Sequence, residues 1–196
     1  MNIGIIVLAA GSSSRMGKPK QLLDIRGVPL LVKTIQAALQ SKAGSVTIVL
    51  GSNDAMHREV ISNLNIDIVE NTTWQQGMGN SLKAGLNHLL SKNPMLNAVI
   101  IMVCDQPSIT ADHLNDLIDT YVSNKRSIVA SYYSNAPGVP ALIDKKIFRE
   151  LLSIHDSHGA KKIILQHPDE TDLINFPSGA IDLDTPEDYT NYLERK

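Results

Sequence analysis

The chain has 196 residues, 43% apolar and 19% charged, with 18 basic against 20 acidic side chains and a formal charge of −2. That length suits one domain with a sizeable core, and the slight acidic excess argues against nucleic acid as a partner. The single cysteine, Cys104, excludes an intramolecular disulfide and a multi-cysteine metal site and suits a reducing compartment. No apolar stretch reaches the roughly 18–20 residues of a membrane helix, and the N-terminus lacks a basic leader, so a cytoplasmic protein with no membrane partner is expected.

Ile3 to Ala9 is a near-continuous apolar run, as a parallel strand buried on both faces requires, and Ser45 to Leu50, Ile66 to Val69 and Ala98 to Val103 repeat it. Amphipathic helices are predicted between them. Leu30, Leu31, Thr34, Ile35, Ala38 and Leu39 form one apolar face, and Leu82, Leu86, Leu89 and Leu90 a second. Leu114, Leu117, Ile118 and Tyr121 form a third, entered through Thr110 as N-cap. Alternating strand and helix predict an α/β fold with a mainly parallel central sheet.

The order changes after Ser127. A strand over Ser127 to Tyr133, a turn at Asn135-Ala-Pro-Gly138 and a strand over Val139 to Ile143 predict a late β insertion. Helices are expected over Lys145 to Leu152 and Gly159 to Gln166, and short strands over Asp172 to Phe176 and Ala180 to Leu183. Pro186 stands at the N1 position of a terminal helix. Neither an internal repeat nor a long linker interrupts the chain, so one domain is expected.

The segment after the first strand, Leu8-Ala-Ala-Gly-Ser-Ser-Ser-Arg-Met-Gly-Lys-Pro-Lys20, is suited to an anion. Gly11 and the small residues let backbone N–H groups approach phosphate oxygens. Ser12 to Ser14 add hydroxyl donors, and Arg15, Lys18 and Lys20 add positive charge. Five residues separate Gly11 from Gly17 and Pro19 follows Lys18, which excludes a Walker loop; Ser13 excludes the G-x-G-x-x-G dinucleotide fingerprint. Pro19 predicts that the segment wraps its ligand in an extended conformation before any helix begins.

These residues resemble the nucleotidyltransferase signature L-A-A/G-G-x-x-x-R-M-G-x-x-K, met at every specified place. Within that superfamily the chain is most similar to the molybdenum cofactor cytidylyltransferases and the related maturation proteins of xanthine dehydrogenase. Further segments carry the likeness: Asn71-Thr-Thr-Trp-Gln-Gln-Gly-Met-Gly-Asn-Ser-Leu82, Val103-Cys-Asp-Gln-Pro107, Gly138-Val-Pro-Ala-Leu142 and Asp182-Leu-Asp-Thr-Pro-Glu-Asp188. Where the family often carries G-D-x-G-A-R, this chain has His155-Asp-Ser-His-Gly-Ala-Lys161.

The resemblance implies a three-layer, Rossmann-like nucleotidyltransferase fold, with residues 1–107 mainly binding nucleotide and 108–196 mainly binding acceptor. It implies a Mg²⁺-dependent reaction joining CTP to a molybdopterin-type molybdenum cofactor with release of pyrophosphate, and an apo-molybdoenzyme of the xanthine dehydrogenase type as recipient. Ala10, where guanylyltransferase relatives have glycine, favours CTP by the same analogy. A sugar- or alditol-phosphate nucleotidyltransferase and a non-catalytic cofactor carrier are the alternatives.

Leu8, Ala9, Ala10, Gly11, Ser13, Arg15 and Lys20 are expected around the phosphates, with Arg15 and Lys20 stabilising the charge of departing pyrophosphate. Asp105, following an apolar strand, is expected at the sheet's carboxyl edge as catalytic metal ligand. A hard cation wants carboxylate oxygens, of which Mg²⁺ takes one or two from protein. Asp182 and Asp184 share a strand parity and either could supply the second carboxylate. The resemblance favours Asp182, while Asp184 has a competing role as helix cap. Gly77 and Gly79 are read as permitting close approach of a flat base, with Asn80 or Ser81 bonding its edge and Trp74 as a further stacking surface. Cys104 reads as a small buried apolar residue, and His155 and His158 as an exposed loop.

Overall fold

In the computed structural model the first strand, β1 (Ile3–Leu8), is buried along its whole length, and its side chains divide between two cores. Ile3, Ile5 and Val7 enter one cluster, Ile6 and Leu8 the other, as the two-residue period of a strand requires. The structure describes residues 1–13, 15–51 and 54–194; of the phosphate-loop serines, Ser14 lies outside them.

A short hairpin follows the loop, β2 (Asp24–Ile25) and β3 (Val28–Pro29), turning through Arg26 and Gly27 at positive φ. Then come α1 (Leu30–Leu39), β4 (Ser45–Leu50), α2 (Asp54–Ile61) and β5 (Asp67–Glu70). The first half closes with α3 (Met78–Lys92) and β6 (Ala98–Val103). The second half adds α4 (Ala111–Asn124), β7 (Ile128–Tyr133), β8 (Ala136–Asp144), α5 (Phe148–Ser153), α6 (Ala160–Gln166), β9 (Thr171–Asn175) and α7 (Pro186–Glu194).

Seven strands form one sheet in the order β5-β4-β1-β6-β8-β7-β9. β8 pairs antiparallel with both β6 and β7, and the other pairings are parallel. The late β segment is therefore part of the central sheet and not a separate layer. Residues of α1, α4 and α7 pack with one core and those of α3, α5 and α6 with the other, giving three layers. α3 lies close on the sheet at Gly85, where an added Cβ would stand 2.8 Å from Ile6 Cγ2 and 2.9 Å from Val49 Cγ2. No helix among the described residues is long and apolar enough to cross a membrane.

β1 is flanked by β4 on one side and β6 on the other, so the chain leaves it in opposite directions and a crevice opens at its carboxyl end. Leu8 pairs with Val103 there, which sets the glycine loop beside Asp105. Thr110 caps α4 as expected, accepting from His113 N at 3.2 Å. Two expectations are corrected. The hairpin turn is Ser134-Asn135, both at positive φ, so β8 begins at Ala136 and runs through the expected turn residues Ala136 to Gly138. A two-residue turn of that kind matches the twist of the strands it joins. Ala180 to Leu183 is no strand: Pro177–Ala180 is a 3₁₀ turn and the residues after it cross the sheet's carboxyl edge unpaired.

Candidate active site

The glycine loop is held from beneath by Gln21, which is 1% exposed. Its Nε2 donates to Ala9 O at 3.1 Å and Gly11 O at 3.0 Å, and its Oε1 accepts from Ser13 Oγ at 3.0 Å. Ser13 Oγ in turn accepts from Lys20 N at 3.0 Å, and Ser13 itself stands at φ 56. The loop closes on itself through one buried amide and enters a 3₁₀ turn at Lys20–Leu22; residues 15–18 form turns and bends, so the expected extended wrap is not seen. Gln21 escaped the sequence reading because an amide among leucines carries no motif of its own.

Lys20 Nζ donates to Asp105 Oδ2 at 2.7 Å and Asp184 Oδ1 at 3.0 Å, and Arg15 Nη2 donates to Asp184 Oδ2 at 2.9 Å. Burial pulls the Lys20 amine down, but Asp105 and Asp184 outweigh it and hold it above its ordinary value. The tail segment is fixed to the strand end by Leu183 N donating to Asp105 O at 2.9 Å. Asp182 joins the same group. Its carboxyl is pushed up to about 6, first by partial desolvation and then by the negative charges of Asp105 and Asp184, with Lys20 opposing. Its outer surface remains open to solvent.

The competing role for Asp184 falls away. Thr185 caps α7, its Oγ1 accepting from Asp188 N at 3.2 Å while Asp188 Oδ2 accepts from Thr185 N at 2.8 Å. That reciprocal box satisfies the helix start and leaves Asp184 to Arg15 and Lys20.

The donor set fits a divalent cation. Asp105 and Asp184 meet Lys20 and Arg15 here, and their negative charge adds to desolvation in lifting the neighbouring Asp182. Among the described residues no three His, Cys, Asp or Glu side chains form a ready cage. Mg²⁺ or a similar hard ion needs only one or two protein carboxylates, with phosphate and water completing its shell. Asp105 and Asp182 are the pair available, since Asp184 is engaged by both cations.

A cleft of about 340 Å³ opens beside this group, lined by Leu8 to Ser12, Lys20, Gln21, Trp74, Gln75, Gly77, Met78, Ser81 and Val103 to Asp105. Trp74 stands over Gly51, where a Cβ would lie 2.7 Å from the indole. Asn71, 5% exposed, donates to Ser81 Oγ at 2.9 Å and fixes that hydroxyl on the wall. Cys104 is buried, its thiol pushed up to about 12 by burial.

Leu8, Ala9, Ala10, Gly11, Lys20, Ser81 and Asp105 thus share one cleft, with Arg15 and Asp182 beside it. Gly79 and Asn80 do not line it. A Cβ on Gly79 would stand 2.5 Å from His155 O and 2.6 Å from His158 O, and one on Gly77 2.4 Å from Asp156 O. These glycines admit the backbone of the 155–158 loop, which Gly79 N also bonds, at 2.8 Å to Asp156 O. Asn80 is engaged with Thr73 and Gln76. His155 and His158 are exposed, their rings 5.6 Å apart.

Behind Asp105 lies a buried polar group the sequence did not announce. Gln106, 2% exposed, donates to Tyr133 OH at 3.0 Å and Gly179 O at 2.9 Å, tying the residue after Asp105 to the second half of the chain. His113 stacks on Phe176 at 3.9 Å between ring centroids and meets Ser131 Oγ at 2.7 Å. Ser131 spends its one hydrogen on Pro140 O, so His113 Nε2 must be the donor. Burial lowers its pKa to about 4 from 6.5. Between those values the unfolded chain takes up a proton that the folded one refuses. Stability from this group is therefore present above pH 6.5 and is lost as pH falls toward about 4. His113→Phe keeps a stacked ring and removes the titration, so urea unfolding at pH 7.5 and pH 5 should show a smaller acid loss than in the parent. An equal loss in both would assign it elsewhere.

Comparison with known proteins agrees with this geometry. The family described as the MobA-like NTP transferase domain matches residues 5–171. A protein of Paenarthrobacter nicotinovorans named nicotine blue oxidoreductase is 31% identical, with 93% of this chain and 92% of the relative aligned. The molybdenum cofactor cytidylyltransferase of Escherichia coli K12 is 24% identical, over 98% of this chain and 96% of the relative. The solved structure of Rv0371C from Mycobacterium tuberculosis H37Rv in complex with manganese superposes with a TM-score of 0.83 at 26% identity, covering 100% of both chains.

Proposed function

Since the chain belongs to the MobA-like NTP transferase family and is a nucleotidyltransferase, we propose that it joins CTP to a molybdopterin-type molybdenum cofactor, with Mg²⁺, releasing pyrophosphate. The observation that carries this reading is the meeting of Lys20 with Asp105 at the mouth of a nucleotide-sized cleft. A pure cofactor carrier has no use for a phosphate grip opposed to a carboxylate group. Ala10 and the likeness to the Escherichia coli cytidylyltransferase support CTP and the molybdenum cofactor, and the manganese-bound relative supports a divalent ion.

In this reading Ala9 to Ser12 offer backbone donors to the phosphates. Lys20 and Arg15 exchange carboxylate partners for the β- and γ-phosphate oxygens and neutralise the charge that grows on pyrophosphate as its bond to the α-phosphorus breaks. Asp105 and Asp182 would hold the cation, which when bound would polarise the α-phosphate and screen the repulsion between its charge and the incoming oxyanion. A phosphate oxygen of the acceptor forms the new bond. Residues 1–107 hold the nucleotide and residues 108–196 form the acceptor side, and an apo-molybdoenzyme of the xanthine dehydrogenase type receives the product.

Pyrophosphate release with each of the four nucleoside triphosphates, Mg²⁺ and purified molybdopterin cofactor tests the proposal. Release with CTP alone is expected. Release only with a sugar or alditol phosphate as acceptor would replace the substrate assignment. Silence with every nucleotide, alongside tight cofactor binding, would overturn catalysis in favour of a carrier.

A further inference from the structure

We propose that the groove between the β2–β3 hairpin, α1 and α7 is a second small-molecule site, taking a flat ring that bears a carboxylate or phosphate. The groove has a volume of about 520 Å³ against about 340 Å³ for the nucleotide cleft, within the ordinary range for organic ligands of roughly 300–1,000 Å³. Lys33 from α1 lines it, beside Arg26 of the hairpin turn, and among the described residues no carboxylate does.

Lys33 is half-buried. Its amine donates to Tyr192 OH at 3.2 Å and stands 5.7 Å from the centroid of the same ring. Those are its polar partners among the described residues, and neither cancels its charge. An uncompensated cation in a concave, partly apolar setting favours an anion over water. Tyr192 also presents an aromatic surface, and Ile25, Val28 and Ile181 supply an apolar floor. A ring between that floor and Tyr192, with its acidic group on Lys33, satisfies the features of the groove. Neither an extended peptide nor a bare phosphate uses both the floor and the cation.

The position gives the site a consequence. Its wall includes Ser108 and Ile181, the latter directly preceding Asp182, and Tyr192 OH reaches Pro107 O at 3.4 Å. A ligand here bears on the backs of both segments that carry the carboxylates, so its binding is linked to nucleotide binding in either direction.

Calorimetric titration of phenyl phosphate and of benzoate into the full chain tests the proposal. Single-site binding of at least one probe is expected, at least about tenfold tighter than inorganic phosphate. Lys33→Met should weaken it by about tenfold or more, and so should Gln36→Glu, which sets a negative charge on the exposed side of the same groove and truncates nothing. Circular dichroism shows whether each variant is folded. Absence of binding for both probes overturns the site. So does affinity unchanged by both substitutions, which would put the probe in the phosphate loop. None of these readouts uses CTP or turnover, so failure here leaves the transferase reading untouched, and failure of that reading leaves this one standing.

Discussion

Asp105→Asn should lower the rate of nucleotide-dependent pyrophosphate release by about 10²–10³-fold, the scale on which removal of one preorganised electrostatic group acts. The amide keeps the volume of the side chain and removes the charge that opposes Lys20 at 2.7 Å. Lys20 retains Asp184 at 3.0 Å, so the fold loses little: about 1 kcal/mol, the scale of a single solvent-accessible bond. The expected result is thus a large fall in kcat with an unfolding midpoint close to the parent's. Activity within tenfold of the parent would take Asp105 out of the metal site and leave Lys20 as the group to pursue.

Gln21→Leu should weaken both the fold and the grip. Leucine fits the space but makes none of the three side-chain bonds that Gln21 makes to Ala9 O, Gly11 O and Ser13 Oγ. Ala9 is 3% exposed, so water cannot replace the lost donor there, and one stranded buried acceptor with its neighbours costs about 2–4 kcal/mol. The loop that we propose presents backbone donors to the phosphates loses its internal brace, and the nucleotide KM should rise at least about tenfold with a smaller change in kcat. Urea unfolding and a nucleotide titration read the two effects separately. Stability within about 0.5 kcal/mol of the parent, together with an unchanged KM, would show that the brace is dispensable.

Much of this molecule is written locally. The buried strand β1 and the glycine loop after it are contiguous, and their apolar run and spacing are enough to identify them. Asp105 is legible for the same reason, since an acid at the end of an apolar strand has one natural position in an α/β sheet. The pairing of the glycine loop with Asp105 was foreseen, and what the sequence left unread was most of the other meetings across the chain. Gly77 and Gly79 announce that something approaches closely, and the sequence does not say that the 155–158 backbone does. Asp182 and Asp184 were compared as strand neighbours, but no strand exists there; Leu183 N on Asp105 O sets their positions. Gln21, Gln106 and His113 do their work through buried hydrogen bonds, which leave no periodicity behind.

The order of the residues along the chain has a bearing on biosynthesis. Asp184 lies 164 residues after Lys20, and a ribosome delivers the chain from its N-terminal end at about 5–20 residues per second. For several seconds a nascent chain therefore carries its basic loop without the tail carboxylates that later neutralise it. The folded enzyme acquires its acids in two instalments, Asp105 with the central strand and Asp182 and Asp184 only when the tail is threaded across the sheet edge. Until then the cations of the loop lack part of their carboxylate partners, so the assembled cluster waits on residues made long after the loop itself.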